Sequence, residues 1–205
     1  HSDDLIKKLV NDSENLADFI VKNNAEHIEF IDINIMLCVE HNKTKHNIKL
    51  TTRINVSDNK LVVYRSSLPK AKDFLSQYIN LLIVQIWLTQ TSVNTTDEKY
   101  HKLSQVTASH GYYFDTKAQK PVHYFYRQQL EPESLLKQLL QIYLSGQQQA
   151  LLLNGDLAEK YFKAKVFEQT HFENYWHDDN NSFALGQDPY IQYFWPTVPV
   201  FAEAL

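Results

Sequence analysis

A chain of 205 residues with 43% hydrophobic and 13% aromatic residues has material for one cored domain, or one domain with an appended lobe. Its net charge of −4 excludes a global pull toward nucleic acid, so any DNA contact has to come from a local patch. One cysteine excludes an internal disulfide, and four glycines (Gly111, Gly146, Gly155, Gly186) that form no phosphate-cradling loop exclude a nucleotide-binding fingerprint.

The elements follow from periodicity. Asp3 to Lys22 predicts one or two short amphipathic helices, with Leu5, Ile6, Leu9, Val10, Leu16, Phe19 and Ile20 at helical spacing. The start of the chain lacks the basic and apolar regions of a signal peptide. Ile28 to Glu40 is apolar and β-branched and predicts a strand, with Cys38 read as a small buried hydrophobe in a reducing, cytoplasmic compartment. Ile48, Leu50, Thr52, Ile54 and Val56 alternate with polar residues, Ser57-Asp58-Asn59 is turn material, and Leu61 to Tyr64 is a second strand. Pro69 introduces a helix from about Lys70 to Thr89. The uncharged run Phe74 to Val93 is interrupted by Ser76, Gln77, Asn80, Gln85 and Gln90, which favours a buried helix over a membrane span. Ser92 to Lys102 reads as a loop, and Leu103 to Asp115 and Val122 to Arg127 as β-rich. Glu131-Pro132-Glu133 opens a helix that Gly146 can end. Asp156 and Glu159 resemble a capping box before Leu157 to Phe167, Trp176 to Gly186 reads as loop, and Pro189 to Phe194 as a last short helix. The expected organisation is a single domain over 1–205: a helical segment to about 27, a sheet core with a central helix over 28–130, and a mainly helical part over 131–205.

The hairpin carries the most information. It resembles the active-site hairpin of PD-(D/E)xK nucleases, which places an Asp on the first strand and Asp/Glu-x-Lys on the second so that carboxylates hold Mg²⁺. The matching positions are Asn55, Val63 and Arg65. Val63 cannot ligate a metal, Asn55 offers one neutral oxygen, and Arg65 keeps a charge but cannot act as a base. A three-residue loop pairs Asn55 with Leu61 and puts all three positions on one face. A two-residue loop at Asp58-Asn59 pairs Asn55 with Val62 and puts it opposite Val63. Only the first arrangement supports a dead nuclease site, barring a bulge; ordinary strand residues are the bland alternative.

From about Ile28 to Leu205 the chain resembles the C-terminal region of the exodeoxyribonuclease V gamma chain family, the RecC subunits of RecBCD complexes. Three segments carry this: the strand pair ending Val63-Tyr64-Arg65 with the Trp87 helix after it; Leu135 to Gly146 running into Ala150-Leu151; and Gly186-Gln187-Asp188-Pro189-Tyr190, with Gln187 where the family's pattern has an acid. The resemblance implies an α/β fold with a mixed central sheet and flanking helices, a degenerate PD-(D/E)xK fold without nuclease chemistry. It also implies assembly with RecB-like and RecD-like subunits on double-stranded DNA ends and single-stranded DNA, with no membrane and no cofactor. The alternatives are an active nuclease whose acids have moved, to Asp32, Glu40, Asp58 or Asp73, and a pure protein-interaction domain.

Lys117, Lys120, His123 and Arg127 lie beside Tyr112, Tyr113, Phe114, Tyr124, Phe125 and Tyr126, and cations among aromatics suit a single strand; with Arg65 they are the candidate DNA-binding residues. Strand alternation buries half of such rings, so core packing competes with this reading. Lys43, Lys45, His46, Lys49 and Arg53 suit a solvated strand edge. His171, His177, Asp178 and Asp179 match no metal-ligand spacing, and no metal is expected.

Overall fold

The structure is a computed structural model that describes residues 2–23, 27–91, 98–148, 168–177 and 184–199. The predicted Leu157 to Phe167 helix with its Asp156–Glu159 cap lies outside them, as do Asp178 and Asp179. The chain divides into two compact units, His1–Gln141 and Ile142–Leu205.

The first unit is built on five strands: β1 (Glu29–His41), β2 (Thr44–Ser57), β3 (Lys60–Arg65), β4 (Ala108–Asp115) and β5 (Lys120–Arg127). They lie side by side in chain order; β3 and β4 are parallel and the other neighbours antiparallel. This is the mixed sheet the sequence predicts. The alternation in β1 sets its faces: Ile31, Ile33, Ile35, Leu37 and Val39 are buried, and the even positions face solvent. Cys38 is one of those even positions and is exposed, which corrects its reading as a buried hydrophobe. The β1–β2 turn holds Asn42 and Lys43 at φ 50° and 63°, the left-handed pair that a tight hairpin requires.

Parallel pairing of β3 and β4 needs a crossover, and α2 (Ala71–Gln90) supplies it. Its first turn is held by the Asp73 carboxylate, which accepts the Lys70 N–H at 2.8 Å. Leu81, Leu82, Val84 and Ile86 bury its inner face on the sheet. Glutamines tie the helix to its surroundings. Gln90 donates to the Met36 carbonyl at 2.8 Å and so covers part of the β1 edge, and Gln85 exchanges two hydrogen bonds with the Gln129 backbone, at 2.9 and 3.0 Å.

Over β3 to β5 the opposite face of the sheet carries α1 (Ser2–Lys22), one continuous helix of 21 residues. Leu16 and Ile20 pack with Val62, Tyr112 and Phe114. The polar Asn11 to Ser13 stretch lies within the continuous helix, where the Ser13 hydroxyl is satisfied by donating to the Leu9 carbonyl at 2.8 Å. The expected loop before β4 contains a third helix, α3 (Glu98–Ser104). It forms because Leu103 is fully buried and Tyr100 stacks on Trp87, with centroids 5.3 Å apart. The next helix, α4 (Pro132–Gln148), opens at Pro132 as expected but runs through Gly146 rather than stopping there.

The second unit has its own small core. Phe172, Tyr175 and Trp176 of α5 (Gln169–Trp176) pack with Leu185, joined by Ile191, Trp195 and Val198. At the ends of the expected Trp176 to Gly186 loop, Trp176 closes a helix and Leu185–Gln187 is a 3₁₀ turn. A methyl group on Gly186 would strike the Trp176 indole. Asp188 accepts the Ile191 N–H at 3.3 Å, and Pro189 takes the first position of α6 (Pro189–Phe194). Close approach, cap and helix start thus account for Gly186, Asp188 and Pro189 of the quoted motif.

Candidate nucleic-acid interface

The register of the β2–β3 hairpin decides which of its residues meet. Val56 faces Leu61 and Ser57 faces Lys60, so the loop is the two-residue Asp58-Asn59, with Asp58 at φ 51°. Alternation then sets Asn55 on the face of Val62, and Val63 and Arg65 on the opposite face, which packs on α2. The three positions do not share a face, which corrects the arrangement on which a dead site depends. Beyond Val56 and Leu61 the two strands stop pairing, and a cavity of about 50 Å³ opens between them. Asn55 and Val63 border it, with Ile54, Leu61, Asn80 and Ser109; Arg65 does not.

Arg65 instead reaches α2, where its Nη1 pairs with Asp73 at 2.8 Å. The Asp73 carboxyl is held below its ordinary range, first by the Lys70 N–H and then by Arg65, against an opposing effect of burial. The other acids that might replace a lost site are dispersed. Asp32 pairs with Arg53 at 2.8 and 3.0 Å on the opposite face, Glu40 is near the β1 tip, and Asp58 is in the turn. Among the described residues no three His, Cys, Asp or Glu side chains gather as a metal site. His171 Nδ1 accepts the Glu168 N–H at 3.2 Å, the role of a helix-start residue.

The other candidates lie on β4 and β5, and the structure brings only some together. Lys117 and Lys120 sit at the β4–β5 turn, where Asp115 accepts the N–H groups of Lys117 and Ala118, each at 2.9 Å. Arg127 is at the other end of β5, roughly 23 Å away along an extended strand. Tyr112, Tyr113 and Phe114 are core residues. His123 and Arg127 do meet, on the α1 side of the sheet, in a cavity of about 480 Å³ lined also by Thr107, Ala108, His110, Phe125 and Gln128.

Residue pairing across β4 and β5 explains the site. Tyr112 faces His123, His110 faces Phe125, and Ala108 faces Arg127. The side chains stand up from one face as a ladder of near-parallel rings. Tyr112 and His123 are 4.9 Å apart at 11°, His110 and His123 are 5.0 Å apart at 21°, and His110 and Phe125 are 5.9 Å apart at 25°. His110 Nδ1 and His123 Nε2 are 2.9 Å apart, one donating and the other accepting. The Arg127 guanidinium lies 5.7 Å from the Phe125 ring centre. Next to Ala108 on β3, Lys60 donates to the Asn23 carbonyl at the end of α1, at 2.8 Å. His110 carries no signal of its own in the sequence for this site. Thirteen positions separate it from His123, and only strand register joins them.

Burial, then the charges of His123 and Lys60, lower His110 to about 4, and burial followed by Lys60 lowers His123. Both rings are therefore neutral at physiological pH, which leaves Arg127 and Lys60 as the local positive charges. In the unfolded chain a histidine titrates near its ordinary value, so below about pH 6.5 the unfolded state takes up protons the folded state refuses. Stability is fully present above that value and falls as pH drops toward about 4. Thermal melts are expected to show this loss, and His110→Phe to reduce it; a melting temperature flat from neutral to acid pH would contradict the assignment.

Among curated proteins none matches the chain. Among solved structures the crystal structure of SSO0001 aligns at 11% identity with a TM-score of 0.32, over 62% of this chain and 55% of that one, so this chain spans about half of that protein. No helix among the described residues is long and apolar enough to cross a membrane. The RecC C-terminal domain family matches residues 4–166, from the first turn of α1 to beyond α4. With most of its length matched, the chain belongs to the RecC C-terminal domain family.

Proposed function

We propose that this chain is a catalytically inactive, nuclease-like module of a RecBCD-type complex for repair of DNA double-strand breaks. It acts as a scaffold and strand guide beside RecB-like and RecD-like subunits in the cytoplasm. The observation that carries the reading is the family to which residues 4–166 belong. The hairpin supports the inactivity alone, since its register does not assemble a nuclease arrangement: Val63 offers no ligand, and Arg65 is engaged with Asp73 in holding the start of α2. The β4–β5 face supports the guiding role, because rings and a guanidinium on one exposed strand are what a single strand contacts. In this reading His123 and Arg127 are the DNA-binding pair, Lys117 and Lys120 extend the contact toward the turn, and Arg65 is structural.

Retention of forked DNA tests the reading. Affinity is expected to fall as salt rises, because phosphate contacts release counterions, and Arg127→Ala is expected to weaken binding and flatten that slope by about one ion. No retention at low salt would overturn the guiding role and leave a protein-interaction module.

A further inference from the structure

The ring ladder on β4 and β5 ends at a gap. Going along the strands from Tyr112 and His123 to His110 and Phe125, the next cross-strand pair is Ala108 and Arg127. Every earlier rung carries two rings; this one carries a methyl group and a guanidinium. The small side chain leaves a notch where another ring would stand, walled by His110 and Phe125 on one side and by Thr107 and Gln128 on the other. Gln128 is fixed there, its amide donating to the Val106 carbonyl at 2.6 Å and its backbone N–H to the Thr107 carbonyl at 3.3 Å. The cavity, about 480 Å³, falls in the roughly 300–1,000 Å³ range of small-ligand sites.

We propose that this notch takes one unstacked nucleobase of a DNA strand, its ring continuing the ladder beside His110 and Phe125 and its phosphate meeting Arg127 and Lys60. The inference rests on the strand-guiding reading and goes further, since it assigns a contact to a base rather than to the backbone alone. Its chemistry follows from the walls. Phe125 is 51% exposed, so it has free surface to stack on. The two imidazoles are stacked and hydrogen bonded to each other, so the ladder presents flat ring surface, and Arg127 and Lys60 stand at its open end. A planar ring carrying an anion fits that division of surface, and a nucleotide is such a group.

The test is fluorescence anisotropy of the whole chain with an oligothymidylate and with an abasic phosphodiester strand of the same length. The base-bearing strand is expected to bind about tenfold more tightly, the effect of one stacked base. Phe125→Leu, at an exposed position, is expected to bring the oligothymidylate down to the affinity of the abasic strand, and Arg127→Ala to weaken both alike. Filling the notch with Ala108→Leu, in protein whose circular dichroism is unchanged, is expected to act as Phe125→Leu does. Equal affinities for the two strands, insensitive to Phe125→Leu, would overturn the base site while leaving strand guiding intact. Absence of binding to either strand would overturn both.

Discussion

Gly111→Ala is expected to destabilise the sheet unit by about 2 kcal/mol, a strong effect for the addition of one methyl group. Gly111 lies in β4 opposite Val63, under α2. A Cβ built there would be 2.5 Å from Tyr113 Cε2 and 2.7 Å from Gln77 Oε1. Both side chains are fully buried, and Gln77 donates to the Ser109 carbonyl at 2.9 Å, so neither can swing away without breaking packing or a hydrogen bond. Tyr113 is further confined by the rings of Phe74 and Tyr124, at 6.3 and 6.1 Å. The modest gain from stiffening the unfolded chain, under about 1 kcal/mol, does not offset the overlap. Thermal denaturation is expected to show a fall of several degrees; a melting temperature within a degree of the parent would show that α2 can lift from β4 at little cost.

Tyr112→Ala is expected to cost about 3–5 kcal/mol, the range for removing a buried aromatic side chain. Tyr112 has no exposed surface and joins two structures. It is the floor on which Leu16 and Ile20 of α1 rest, with Phe19 packed edge-on at 6.1 Å, and it is the first ring of the β4–β5 ladder. Its loss is expected to expose α1 to proteolysis before the sheet and to lower strand binding together with stability. Tyr112→Phe separates ring from hydroxyl. The hydroxyl has no protein partner among the described residues, so this variant is expected to stay within about 1 kcal/mol of the parent. Equal losses in the two variants would place the stabilisation in the hydroxyl instead.

Much of the sheet was legible in sequence because alternation is a local signal. Ile31 to Val39 show their buried face in the order of residues alone, and the same parity puts Cys38 outward. The helix after Pro69 and the one at Pro189–Phe194 were legible for similar local reasons: a proline start and an apolar spacing. The hairpin shows where local signals stop. Ser57-Asp58-Asn59 announces a turn but not its length, and one residue of difference moves Asn55 to the other face from Val63 and Arg65. Tyr100 and Leu103 turn an apparent loop into α3 only because Trp87 and the core receive them. The β4–β5 site was half legible. His123, Arg127 and their aromatic neighbours are adjacent in sequence, but the notch is made by Ala108 and His110, which only register brings opposite Arg127 and Phe125.

Linear double-stranded, single-stranded and forked DNA incubated with the purified chain, with and without Mn²⁺, tests the central claim most directly. The expected result is no cleavage of any substrate under either condition, with salt-sensitive retention of the forked DNA. Metal-dependent cleavage that Arg65→Ala abolishes would contradict the account, for it would require carboxylates to converge on a metal at the hairpin.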